Sequence, residues 1–140
     1  MLKKISAIVL ALGSLAIAFP ALAASAPTIV QVQCVGAAVN TRESALVAGM
    51  TTYTSALNSA YSTRAGALQT AYGLTPGGSA IKNAVKAAWS AFTTSTKAAR
   101  KSWQTTRNSA WSTFRTSAKA CKASSVPTDT ANASSEASGN

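Results

Sequence analysis

The stretch "AWSTFRTSAKAC" (residues 110–121) nearly repeats "AWSAFTTSTKAA" (residues 88–99), twenty-two positions earlier. Ala, Trp, Ser, Phe, Thr, Ser, Lys and Ala recur in place, and the later copy ends in Cys121 where the earlier one ends in Ala99. The interval is two elevens. Leu46, Leu57 and Leu68 form one eleven-residue row in the first half of the chain, and Met50, Tyr61 and Tyr72 form another. In the second half, Ile81, Phe92, Trp103 and Phe114 make one row, and Ala88, Ala99, Ala110 and Cys121 a second. Eleven residues over three turns is about 3.67 per turn, close to the natural helical value, so each row stays on one face of a straight or slightly right-handed coiled helix. Apolar positions do not alternate with period two, which excludes strands.

The pattern predicts an all-α fold of two long antiparallel helices, one over 36–73 and the other over 79–122. Between them "LTPGGS" (74–79) supplies a reversal. Thr75 before Pro76 disfavours helix, Gly77 and Gly78 free the backbone, and Ser79 suits an N-cap. A turn of 74–78 is too short for anything but an antiparallel, coiled-coil-like hairpin.

The cysteines fit that hairpin. Cys34 lies eleven before Ala45 and heads an alanine row with Ala56 and Ala67; Cys121 ends the alanine row of the second helix. Cys34 with Cys121, Ala45 with Ala110, Ala56 with Ala99 and Ala67 with Ala88 are all symmetric about the Gly77–Gly78 junction. Facing alanine rows let two backbones approach, and the pair at the open end becomes a disulfide. Free thiols or a metal-binding pair are the alternative. Leu46, Leu57, Leu68, Phe92, Trp103 and Phe114 are the expected packing residues, within the hairpin or between copies of it.

The ends differ from the middle. "MLKK" followed by the uncharged, mostly apolar run Ile5–Phe19 and "ALA" at 21–23 has the form of a signal peptide (1–23), cut before Ala24. An uncleaved N-terminal membrane anchor is the lesser alternative. Either way the rest of the chain is expected outside the cytoplasm, where two cysteines pair. Residues 24–35 form a lead-in. Residues 123–140 have almost no large apolar side chains and are expected to be a disordered tail.

The residues available for chemistry are few. The chain has no histidine and three acidic residues, Glu43, Asp129 and Glu136. Glu43 is the only acid within the predicted helices, so neither paired catalytic carboxylates, a Ser–His–Asp arrangement nor a histidine–carboxylate metal site is expected. "TPGGS" is a turn with no Walker lysine and no dinucleotide fingerprint. A non-enzymatic protein is expected, with no cofactor, metal or small-molecule substrate.

Charge is the stronger signal: thirteen Lys and Arg give a formal net charge of +10. The second predicted helix carries Lys82, Lys86, Lys97, Arg100, Lys101, Arg107, Arg115, Lys119 and Lys122, and no acid. Lys86, Lys97 and Lys119 share a row, Lys82 and Arg115 the neighbouring one, and Arg100 and Lys122 the row of Trp89 and Trp111. A solvated face that only kept the protein soluble would normally contain acids. The stripe therefore points to an anionic polymer or surface as partner: nucleic acid, an anionic wall polymer or lipid headgroups. Lys82, Lys86, Lys97, Arg100, Lys101, Arg115, Lys119 and Lys122 are the candidate contacts. The rival expectation is a structural or chaperone-like bundle that self-associates through its aromatic face; a membrane-active hairpin is a third. The tryptophans sit at helical spacing, which favours packing over base stacking, and Arg64 and Arg107 fall on the apolar side with stems expected to be buried.

Overall fold

The computed structural model describes residues 26–73, 78–124 and 126–134. The segment expected to be a signal peptide, most of the reversal and the last six residues lie outside the described residues. Helix α1 spans Ile29–Tyr72 and helix α2 spans Gly78–Ala120, with a single 3-10 turn at Thr130–Asn132. The helices, each about 65 Å long at 1.5 Å per residue, pack side by side and antiparallel. Cys34 and Cys121 are bonded, their Cα atoms 5.8 Å apart, and they close the end opposite the turn.

Helix α1 starts at Ile29, not Gly36, so most of the expected lead-in is helical. The cause is local. Thr28 is extended and forms a capping box: its hydroxyl accepts from the Gln31 N–H, and the Gln31 side chain accepts from the Thr28 N–H at 2.9 Å. Two of the unpaired N–H groups at the helix start are thereby satisfied. The Gln31 amide also donates to the Lys122 carbonyl at 2.8 Å, tying the start of α1 to the exit from α2. Helix α2 ends at Ala120, short of the expected Lys122, because Lys122 takes a left-handed φ of 50° that turns the chain back.

The buried face of α2 is as expected: Ala88, Ala99 and Ala110 are buried, with Phe114 the most enclosed side chain at 1 % exposure. On α1 the pattern shifts. Ala45 and Ala67 are only half-buried and Ala56 is exposed, so the expected alanine row lies at the edge of the interface. The centre is formed by the row Ala38–Gly49–Ala60–Ala71 and by Val35 and Leu46, with Leu57 and Leu68 half-buried. The register is nevertheless the expected one. A Cβ at Gly49 would lie 2.7 Å from the Thr106 methyl and 3.1 Å from the Trp103 ring, and Gly49 and Thr106 are symmetric about the Gly77–Gly78 junction. Phe92 and Trp103 are half-buried beside this seam. Many threonines return their hydroxyls to the carbonyl four residues earlier, as Thr41 does to Ala37 and Thr105 to Lys101. Polar side chains are thus tolerated on long helices without distant partners.

Two outcomes follow. Removing the bond by Cys34→Ser should cost about 4–5 kcal/mol on the chain-entropy estimate for so long a loop. Amide exchange should then show fraying at Ile29–Ala38 and Trp111–Ala120 before the turn end, and equal loss of protection at both ends would contradict a staple. The glycines should split in sign. Gly66→Ala, into open space, should stabilise by about 0.5–1 kcal/mol. Gly49→Ala should destabilise by about 1–2 kcal/mol, because overpacking against Thr106 and Trp103 outweighs the helix-propensity gain; urea titration of the two variants checks both.

Candidate functional site

Three eleven-residue rows meet between the helices: Arg42–Tyr53–Arg64 on α1, and Trp89–Arg100–Trp111 and Phe92–Trp103–Phe114 on α2. The Arg42 row runs through the centre of the α1 face, between the leucine row and the Ala38 row, so an arginine there must enter the core. At the open end the Arg42 guanidinium lies 4.2 Å from the Trp111 ring centroid and 4.5 Å from that of Phe114. The two rings meet edge to face, 5.9 Å apart at 84°. Six turns along the hairpin the same set recurs. Arg64 lies 4.4 Å from Trp89 and 4.3 Å from Phe92, whose rings are 5.8 Å apart at 87°, with Tyr61 added at 4.9 Å. At the intermediate level Arg100 stands in the tryptophan row and Tyr53 in the arginine row, which exchanges cation and ring between the helices. The quoted repeat therefore builds a recurring three-dimensional unit, a guanidinium held against two perpendicular rings. Attraction to each ring face is worth about 0.5–2 kcal/mol, more where water is excluded.

The two complete units differ in their anions. Arg42 is 4 % exposed, and a buried guanidinium needs compensation. Its Nη1 and Nη2 donate to both carboxylate oxygens of Asp129, at 2.7 and 2.8 Å, and Nε donates to Glu43 at 2.9 Å. The planar fork matches a carboxylate in two parallel bonds. The hydrogen bonds from Asp129 hold the Arg42 guanidinium more firmly protonated than usual, against the opposing effect of burial, and the bonds from Arg42 hold Asp129 below the usual carboxylate range. Arg64 is half-buried and has no hydrogen bond or ion pair to its guanidinium among the described residues.

Asp129 belongs to the segment expected to be a disordered tail. The described part of that segment lies against the open end. Ala123 is buried, Ala133 packs with Val39 and Ala118 on the Ala38–Trp111–Phe114 cluster, and Val126 and Thr128 line a shallow groove with Arg115 and Lys119. Composition concealed this because the anchor is a single ion pair, and Asp129 is one of three acids in the chain. The shared spacing of Arg42 and Arg64 with the tryptophans is the sequence signal that identifies the arginines.

The candidate polyanion contacts Lys82, Lys86, Lys97, Arg100, Lys101, Arg115, Lys119 and Lys122 are all exposed, and none pairs with a carboxylate among the described residues. On α2 Arg100 stands in the row of Trp89 and Trp111, so the stripe runs beside the packed face there, whereas Lys122 lies past the end of the helix. Arg107 is half-buried and bonds to the Asn108 side chain. Met50, Tyr61, Tyr72 and Trp89 are 45, 52, 69 and 47 % exposed along the neighbouring rows. Among the described residues no cluster of three potential metal ligands occurs, and no helix is long and apolar enough to cross a membrane.

Asp129→Asn should release the tail while leaving the hairpin folded, since Glu43 still accompanies Arg42 and Asp129 is itself half-exposed; the destabilisation should stay within about 1 kcal/mol. Acid should do the same. Because the carboxylate is depressed in the folded protein, its contribution is complete above the unfolded value of about 3.9 and disappears as pH falls through the lower folded value. Trypsin cleavage after Lys122 and Trp111 fluorescence should report release, and a tail equally protected in the variant would contradict the anchor. Comparison with family models, curated proteins and solved structures finds no match to this chain.

Proposed function

We propose that this protein is a non-enzymatic, exported helical hairpin that binds an anionic polymer or surface through the cationic stripe of α2. The observation that carries this is charge segregation on a rigid rod: between Gly78 and Ala120 every charged side chain is a lysine or arginine, and no acid accompanies them. Without a local anion each ammonium or guanidinium retains its full field, and successive rows repeat that field along a straight helix. Binding of this kind is electrostatic and indifferent to sequence, with counterion release as its driving force. The lack of histidine supports the non-enzymatic assignment, and a bonded cysteine pair fits an oxidising compartment.

A second function, self-association into a bundle, is favoured by one observation: Met50, Tyr61 and Tyr72 are exposed in a single row, beside exposed Trp89. The two functions separate by salt. Retention of a monomer on heparin or DNA that is lost with added salt belongs to the stripe, and a salt-resistant oligomer belongs to the aromatic row.

Lys86→Glu with Lys97→Glu, two exposed positions away from the tail, should weaken heparin or DNA binding without changing helicity. For every phosphate that is no longer neutralised, the plot of log affinity against log salt should flatten by about 0.7–0.9. Unchanged affinity and slope in the folded double variant would retire the polyanion proposal.

A further inference from the structure

We propose that Arg64, with Tyr61, Trp89 and Phe92, is a receptor for a carboxylate side chain carried on an extended segment of a partner protein. The site at the other end of the hairpin shows the chemistry. Arg42 lies against Trp111 and Phe114 in the same arrangement, and there the fork of the guanidinium is filled by Asp129, on a segment of small residues whose Ala133 packs, as Val39 does, against the Ala38–Trp111–Phe114 cluster. Tyr61 stands two elevens after Val39, in the same row, and is half-exposed. The Arg64 unit thus keeps the caged cation, with Tyr61 in the Val39 row among its rings, and carries no carboxylate among the described residues.

The chain's own acids do not fill it. Glu43 and Asp129 are both on Arg42. Arg64 lies about 33 Å further along the hairpin, at 1.5 Å per residue. From Asp129 on its anchor, the chain to Glu136 reaches at most about 25 Å at full extension. Asp129 released from Arg42 also falls short: eight residues beyond Cys121 span at most about 29 Å, against roughly 45 Å along α2 to the level of Arg64. Glu136 reaches that level only once Asp129 leaves Arg42, since fifteen residues beyond Cys121 span at most about 54 Å; with Asp129 on Arg42, a carboxylate side chain at Arg64 therefore comes from another molecule. The three rings lie within 4.9 Å of the Arg64 guanidinium carbon, and a planar guanidinium fork suits a planar carboxylate in two parallel bonds. Arg64 itself lies on the other helix from the cationic stripe, although its ring partner Trp89 shares a row with Arg100.

The test uses the full chain and a synthetic peptide with the sequence of residues 123–134, "ASSVPTDTANAS", which carries the chemistry already seen on Arg42. In nitrogen-15 NMR titrations the Arg64 side-chain N–H and the Trp89 indole should shift saturably. Replacing the peptide aspartate by asparagine should weaken binding at least fivefold. Arg64→Gln should do the same, and Arg64→Lys, which keeps the charge without the fork, should fall between; circular dichroism confirms that both variants are folded. Shifts confined to Arg42 and Trp111 would mean that the peptide only displaces the attached tail, and would overturn the proposal. Equal affinity for the asparagine peptide, or equal shifts at Arg64 with inorganic phosphate, would also overturn it. Shifts at Arg64 that follow protein concentration alone and vanish in Asp129→Asn would overturn it in favour of a second copy of this chain as the occupant.

Discussion

The eleven-residue period is the constraint on which this structure depends. Three turns of helix and eleven residues nearly coincide, so a side chain and its copy keep the same outlook along some 65 Å of rod. Every interaction made at one level is available at the next, and an error of one residue in register would misplace all levels at once. Thr106 against Gly49 and Cys34 against Cys121 belong to the same register, though they lie far apart along the rod. The covalent bond and the tight side-chain contact at Gly49 thus reinforce one another. Such reinforcement matters because the interface is made chiefly of alanine, and few large apolar side chains are deeply buried. Apolar burial is worth about 25 cal/mol per Å², and alanine contributes little area. Much of the holding is left to the disulfide and to the arginine–aromatic units.

Those units show how a cationic chain gains a core from the residues it has. An arginine presents two flat faces and a polar edge, so it can pack like a ring and still donate hydrogen bonds. At Arg42 both properties are used, the faces against Trp111 and Phe114 and the edge toward Asp129 and Glu43. At Arg64 three rings meet the guanidinium and its hydrogen-bonding edge has no partner among the described residues. The difference follows from geometry, since the tail leaves α2 at the open end and its acid is taken up by the first arginine it meets. The left-handed turn at Lys122, a conformation that non-glycine residues adopt at some cost, sets the direction in which it leaves.

Helix type, antiparallel order and the cysteine pair were legible in the sequence because each depends on periodicity alone. Leu46 and Phe114 needed only their row to be placed inside. The start of α1 was not legible from apolar spacing, because a capping box acts through Thr28 and Gln31, polar residues outside any row of large apolar side chains. The centre of the α1 face was displaced from the Ala45 row to the Ala38 row. Alanine is common on both sides of that helix, and composition does not say which alanine faces inward. The burial of Arg42 was masked by the expectation that arginine is exposed, although its repeat at Arg64 matches the repeat of the tryptophans. The packing of residues 126–134 on the hairpin was the least legible feature, since it depends on one long-range ion pair within a segment that otherwise has the composition of disorder.

A rod assembled from interchangeable levels has a discrete length. Inserting or deleting eleven residues in one arm alone would carry Cys34 and Cys121 about 16 Å apart, beyond any disulfide. The same change made in both arms, symmetrically about the turn, would restore the bond and every facing row while moving the turn outward or inward by that step. Chains built on this plan can therefore grow or shrink only by matched pairs of elevens, and the distance between their two ends is quantised. Whatever is held at the turn end stands at a fixed remove from whatever is anchored at the cystine, as on a measuring rod whose gradations are written in the sequence.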